Sequence, residues 1–203
     1  MDKLSLISVK DSLVRRGMSI FSVRDFINFF KVKPETAKSF LSYNTRKGHF
    51  DRLKNGVYAL KSNPPTKFQI ANYLQKPSYI SFETALSYYG IMPETVYTVT
   101  SATTTGTKEY SVKGQSYSYQ KIKRGLFFGH HPVKIRGKIV LIANKEKAIL
   151  DYIYLKSLKK APISERLYLK DIDSERLGMF VNYFKKEVRK SDAIINYIKK
   201  LDL

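Results

Sequence analysis

Residues Lys33–Leu60 read KPETAKSFLSYNTRKGHFDRLKNGVYAL, and this stretch decides the fold of the N-terminal part of the chain. Pro34 suits the first turn of a helix, where its missing N–H costs nothing. Helical spacing from there puts Ala37, Phe40 and Leu41 on one side. Thr36, Ser39, Tyr43 and Arg46 recur on the other side, with Lys38 and Ser42 beside them. Gly48 stops the helix. Phe50–Leu53 and Val57–Leu60 are two short strand-like runs joined by Lys54-Asn55-Gly56, and an Asn-Gly pair in that setting predicts a hairpin. A helix with a small, polar, basic outer face followed by a basic hairpin has the layout of a recognition helix and its wing.

Working back from Lys33, Leu4–Arg16 carries Leu6, Ile7, Val9, Leu13 and Val14 on one expected helical stripe, ended by Gly17. Met18–Phe21 predicts a short edge strand. Ser22 is the expected N-cap of a second helix, Val23–Phe30, with Val23, Phe26, Ile27 and Phe30 facing inward. Lys31-Val32-Lys33 is the turn into the third helix. Helix, strand, helix, helix and two-stranded wing is the order of a winged helix-turn-helix, predicted for residues 1–63 with a net charge of +8.

In such a module short or planar polar side chains meet base edges while cations meet phosphates. Ser39, Ser42, Tyr43 and Arg46 are the groove candidates, flanked by Thr36, and Arg46 has the chemistry to pair with a guanine edge. Lys33, Lys38, Lys47, Arg52 and Lys54 are placed for phosphates. The competing reading is a solvated helix and hairpin with ordinary surface charge, or a winged helix used for protein docking.

Composition supports a polyanionic partner. The 203 residues hold 37 Lys and Arg against 17 Asp and Glu, a net charge of +20, which repels self-association and attracts nucleic acid. Lys outnumbers Arg 27 to 10, and the competing reading of the excess is a Lys-rich genome. The absence of cysteine excludes a disulfide framework, a thiolate metal site and a thiol nucleophile. No apolar run approaches the roughly 18 residues of a membrane span. The N-terminus MDKLSLISVKDSL lacks the apolar core of a signal peptide, so a soluble, cytoplasmic protein is expected.

Ser62-Asn63-Pro64-Pro65 is the clearest break, and it predicts a second domain over 64–203 with a net charge of +12. Thr66–Leu74 looks helical. In YISFETALSYYGIMP (79–93), Ser81 and Thr84 lie near a helix start, Ala85, Leu86 and Tyr89 face inward, and Gly90 stops the helix. Strand character follows over Val96–Thr105, Tyr110–Val112, Gln115–Lys123 and Val133–Ile142, with turns at Lys113-Gly114 and Arg136-Gly137. Asn144 is the expected N-cap of a helix with Ala148, Ile149 or Leu150, Ile153 and Tyr154 inward. Helices over about Ser174–Lys185 and Lys190–Leu201 close the chain. The expected fold class is α+β: a winged helix-turn-helix followed by a small sheet with surrounding helices.

Four blocks in this order, RLKNGVYAL (52–60), YISFETALSYYGIMP (79–93), KIKRGLFFG (121–129) and IANKEKAILDYIY (142–154), resemble the AbiEi family, the antitoxins of type IV abortive-infection toxin–antitoxin systems. The resemblance spans about residues 1–155; the last 45 residues match only in being helical. It implies a bacterial, cytoplasmic autorepressor whose winged helix binds double-stranded DNA at inverted repeats in its own promoter, a monomer pairing on that DNA. It also implies a second domain that counters a nucleotidyltransferase-type toxin without requiring a stable complex. DNA contact then falls on residues 33–54 and antitoxin activity after residue 64, with no single antitoxin residue carried over.

Signals for catalysis are weak. Lys145-Glu146-Lys147 fits the solvated start of an amphipathic helix, and His130-His131 fits a loop or surface pair without partners at metal spacing. Asp171, Asp173 and Glu175 are explained by N-capping at Asp173 or Ser174. Tyr88, Tyr89, Tyr117 and Tyr119 fit a core better than a stacking platform for single-stranded bases. No cofactor, no metal and no enzymatic activity are expected. The other functional class is a basic RNA-binding or protein-docking module that neutralises a partner without regulating DNA.

Overall fold

A computed structural model describes residues 4–164, 166–189 and 191–199. The chain is α+β and divides into two compact units, Met1–Leu74 and Gln75–Leu203.

The first unit runs α1 (Leu6–Arg15), β1 (Ile20–Ser22), α2 (Val23–Phe30), α3 (Pro34–Arg46), β2 (Phe50–Lys54), β3 (Val57–Leu60) and α4 (Lys67–Leu74). The first six elements come in the order that the sequence predicts. Ser22 caps α2 reciprocally: its Oγ accepts from Asp25 N at 3.0 Å while the Asp25 carboxylate accepts from Ser22 N at 2.8 Å. The three strands form an antiparallel sheet ordered β1-β3-β2, closed at its tip by Asn55-Gly56, with Gly56 at φ +70°. Val9, Leu13, Phe21, Phe26, Leu41 and Phe50 fill the core, where Phe21 meets Phe50 edge-on at 5.6 Å. Phe40 stacks on Phe26 at 5.6 Å, which fixes the rotation of α3 about its axis.

Two expectations for this unit change. Ile7 and Val14 are exposed, at 74% and 46%, so the apolar stripe of α1 is narrower than five residues. The unit also continues past the proline pair, because α4 belongs to it. Tyr73 donates its hydroxyl to Asp25 Oδ2 at 2.7 Å, and Lys54 Nζ donates to the Leu74 carbonyl at 2.6 Å. Pro64-Pro65 follows the turn after β3, and α4 then packs onto the same unit.

The second unit runs β4 (Ser78–Ile80), α5 (Phe82–Tyr88), β5 (Val99–Thr103), β6 (Lys108–Val112), β7 (Gln115–Lys121), a 3-10 turn (Arg124–Leu126), β8 (His130–Ile135), β9 (Lys138–Ala143), α6 (Lys145–Lys159), α7 (Ser174–Glu187) and α8 (Asp192–Lys199). Its six strands lie in the order β6-β7-β5-β4-β9-β8; the β5–β7 and β4–β9 pairs are parallel and the others antiparallel. The expected turns close β6–β7 and β8–β9, with positive φ at Lys113, Gly114, Arg136 and Gly137. β4 was not legible: three residues after Pro77 are too few to show alternation, although this strand is central. β5 begins at Val99 and not at Val96, and β8 begins at His130, so the His130-His131 pair lies on a strand. The ends of the expected Lys190–Leu201 helix, like residues 1–3, lie outside the described residues. No helix among the described residues is long and apolar enough to cross a membrane.

Tyr79, Tyr117 and Tyr119 are buried in this unit, as the core reading of Tyr117 and Tyr119 requires, while Tyr88 is 41% exposed. Burial pushes the hydroxyls of Tyr117 and Tyr89 up to about 12, and raises those of Tyr79 and Tyr119 as well. Tyrosine in an unfolded chain ionises near its ordinary value of 10.0, so above that pH the unfolded chain releases protons that the folded chain still holds. The stability contribution is complete below pH 10.0 and is lost as pH rises towards 12. Parallel titrations of tyrosinate absorbance and circular dichroism should show ionisation and loss of fold together. Full ionisation near pH 10 with the fold intact would refute the burial argument.

Candidate nucleic-acid interface

The α3 helix presents two faces because Ala37, Leu41 and Asn44 are buried while Phe40 packs at their edge. Asn44 is polar yet buried; its Nδ2 donates to the Phe40 carbonyl at 2.8 Å, which satisfies the amide locally. Everything the sequence assigns to the outer face is exposed: Thr36, Ser39, Tyr43 and Arg46 along its ridge, with Lys33, Lys38, Ser42 and Lys47 around them. Lys47 Nζ lies 5.8 Å from the centre of the Tyr43 ring, so cation and ring project together.

The flank of α3 and the β2–β3 hairpin share an open groove of about 420 Å³, lined among others by Lys38, Ser42, Arg52 and Asn55. Arg52 is oriented across it by Asn55, whose Oδ1 accepts from Nη2 at 2.7 Å. Ser42 and Lys38 therefore stand beside the wing, and Thr36, Ser39, Tyr43 and Arg46 form the ridge beyond it. Residues 31–61 hold eight Lys or Arg and two acids, Glu35 and Asp51. Asp51 is itself paired with Lys61 at 3.8 Å. The surface is cationic, with polar side chains of the right size at its centre.

Lys54 departs from its expected role. Its ammonium sits on the Leu74 carbonyl, one of the last acceptors of α4 without a partner inside the helix. This contact ties the β2–β3 hairpin to α4. Lys54→Met should lower the stability of the first unit by about 1.5 kcal/mol, the loss of a charged hydrogen bond, and leave the salt dependence of DNA binding unchanged. Denaturant midpoints and anisotropy titrations check this. A salt slope reduced by about one would return Lys54 to the interface.

The second unit holds a buried charged cluster that the sequence reading placed in solvent. Glu146, Lys147 and Asp151 are 2%, 1% and 1% exposed. Lys147 and Asp151, one turn apart on α6, form an ion pair. Tyr79 and Ser81 donate their hydroxyls to Asp151 Oδ2 at 2.9 and 2.8 Å. Phe128 and Tyr79 cover the ammonium, whose nitrogen lies 5.0 and 5.7 Å from their ring centres, and burial lowers its pKa. His130 stacks flat on Tyr79 at 4.4 Å. Glu146 Oε1 accepts from the backbone N–H of Asp173, the N-cap of α7, and Asp173 in turn accepts from Arg176 N at 2.9 Å. Asp173 thus caps α7, as expected.

The missed signal was present in the sequence. Ala148, Ile149, Leu150, Tyr152, Ile153 and Tyr154 leave α6 no polar face, so charges beside them are buried and must be paired. No protein-family model matches the chain, and no curated protein matches its sequence.

Proposed function

We propose that this protein is a sequence-specific DNA-binding autorepressor, and that its second unit acts as the antitoxin of a type IV toxin–antitoxin system against a nucleotidyltransferase-type toxin. The first half rests on one observation: the ridge Thr36-Ser39-Tyr43-Arg46 is exposed as a unit on α3, framed by cations of the helix and wing. A helix of that composition fits a major groove, reading base edges from its ridge while Lys33, Lys38, Lys47 and Arg52 meet phosphates. On this reading the first unit is a winged helix-turn-helix, and two copies sit on an inverted repeat. The antitoxin half rests on the likeness of residues 52–60, 79–93, 121–129 and 142–154 to AbiEi proteins. It carries no catalytic step and places the protein in the bacterial cytoplasm.

The test is an anisotropy titration against the DNA upstream of the protein's own gene, at two salt concentrations with scrambled competitor. Preference for that DNA by roughly a thousandfold or more supports the repressor. Equal, steeply salt-dependent binding to both duplexes would reject it and favour a basic module that acts on RNA or on a protein partner.

A further inference from the structure

The longest acid-free stretch of the second unit runs from β6 to the first residue of α6. Residues 110–145 hold eight Lys or Arg and no Asp or Glu. Its most prominent element is the β8–β9 hairpin. β8 is the edge of the sheet, and β9 is paired with β4 only at Ile142. From Pro132 to Leu141 the two strands pair only with each other, so this part is a two-stranded ribbon.

The ribbon's two faces differ. Val133 opposite Val140 turns inward, and Val140 is fully buried. Pro132 opposite Leu141 and Lys134 opposite Ile139 form the other face, with Arg136 at the tip. Ile139 is 69% exposed and Leu141 38%. No ion pair among the described residues involves Lys134 or Arg136. The outer face therefore combines an exposed β-branched side chain with two uncompensated cations.

We infer that the β8–β9 ribbon is a DNA-binding element, inserted into a groove of duplex DNA with Lys134 and Arg136 on phosphates and Ile139 against the bases. Duplex DNA fits on dimensions and on charge. A groove admits a two-stranded β-ribbon, and ribbon or arm proteins set apolar wedges between flanking cations. A second copy of the chain is disfavoured, since each carries +20. A-form RNA offers a major groove too narrow for such a ribbon. The inference stands on the second unit alone and does not require α3 to be a base reader.

The experiment uses the full chain and a fluorescent duplex of scrambled sequence, so operator recognition plays no part. Lys134→Gln/Arg136→Gln should lower the slope of log K against log salt by about 1.8, and affinity at 0.1 M salt by about 60-fold relative to a 1 M reference. Ile139→Ser should weaken binding several-fold with the slope unchanged, the signature of a contact without charge. Both losses should persist when Ser39, Tyr43 and Arg46 are all alanine. Thermal midpoints equal to that of the unchanged chain certify the fold, and Arg136→Gln alone, with an expected slope change of about 0.9, serves if the double variant is destabilised. An unchanged slope overturns the inference. So does a loss seen only with single-stranded or duplex RNA, or only with vesicles containing anionic phospholipid. Absence of operator preference in the unchanged chain, with these slope changes intact, would remove the autorepressor and leave the ribbon.

Discussion

Lys147→Ala should destabilise the second unit by about 3–5 kcal/mol, enough to unfold it near physiological temperature, because it strands the Asp151 carboxylate in the core. Asp151 would keep the Tyr79 and Ser81 hydroxyls but lose its only counter-charge among the described residues. Asp151→Asn should be milder in charge but leaves the ammonium of Lys147 facing two rings and an amide. The informative control is the double replacement Lys147→Met/Asp151→Leu, which removes both charges and keeps the volume apolar. It should recover most of the loss, since exchanging a buried pair for packed hydrophobes is often neutral or better. Thermal and urea denaturation followed by circular dichroism checks all three. A Lys147→Ala midpoint within error of the unchanged chain would show that the pair holds nothing. A double variant no better than the single would show that packing, and not the stranded charge, sets the cost.

The cluster also draws together three of the sequence blocks, 79–93, 121–129 and 142–154. Tyr79 and Ser81 come from 79–93, Phe128 from 121–129, and Lys147 and Asp151 from 142–154, so three blocks that look separate along the chain meet in one contact set. Gly129 belongs there too. It has φ +67°, which strains any L side chain, and a Cβ on it would crowd Lys147 Cγ at 3.0 Å. These residues are fold determinants of the second unit. A resemblance built on them is an argument about how that unit is assembled, which is why it names no antitoxin residue.

What could be read from the sequence follows from the range of the forces involved. The α3 helix, its Pro34 start and the Asn55-Gly56 turn are local: periodicity and turn chemistry act over a few residues, and both faces of α3 came out as the spacing requires. The N-cap at Ser22 was legible for the same reason, and the structure adds the reciprocal bond with Asp25. The helix start near Ser81 and the N-cap position at Asn144 were legible, but neither side chain makes a cap; the Ser81 hydroxyl is drawn to Asp151, 70 residues away. Tertiary partners also decided Lys54, Glu146 and Lys147, whose charges looked solvated until α4, α7 and Asp151 were placed beside them. The place of α4 is likewise tertiary: Pro64-Pro65 lies beyond the end of β3, and the contacts of Tyr73 and Lys54 hold α4 in the first unit. β4 shows the lower limit: three residues carry no period.

The triple replacement Ser39→Ala/Tyr43→Ala/Arg46→Ala should abolish the choice between operator and scrambled DNA while leaving the fold intact. All three side chains lie opposite the buried Ala37–Leu41 face, and alanine is the best helix former, so α3 should lose no stability. If Arg46 alone makes a bidentate contact with a guanine edge, its loss costs about 1–3 kcal/mol of discrimination. Adding Ser39 and Tyr43 should bring the fall in the specificity ratio to about 100-fold or more. The salt slope should fall by no more than about one, because only Arg46 of the three is charged. Lys38→Ala/Arg52→Ala should do the converse. These cations line the groove between α3 and the wing, so the slope should drop by about two and affinity should weaken equally on both duplexes. The two variants divide the surface into a ridge that chooses and a groove that holds. Anisotropy titrations on the operator and a scrambled duplex, each at several salt concentrations, separate the roles. Operator preference surviving in the triple variant would reject the ridge as the reader and move recognition to the wing, where Arg52 is already held in place by Asn55.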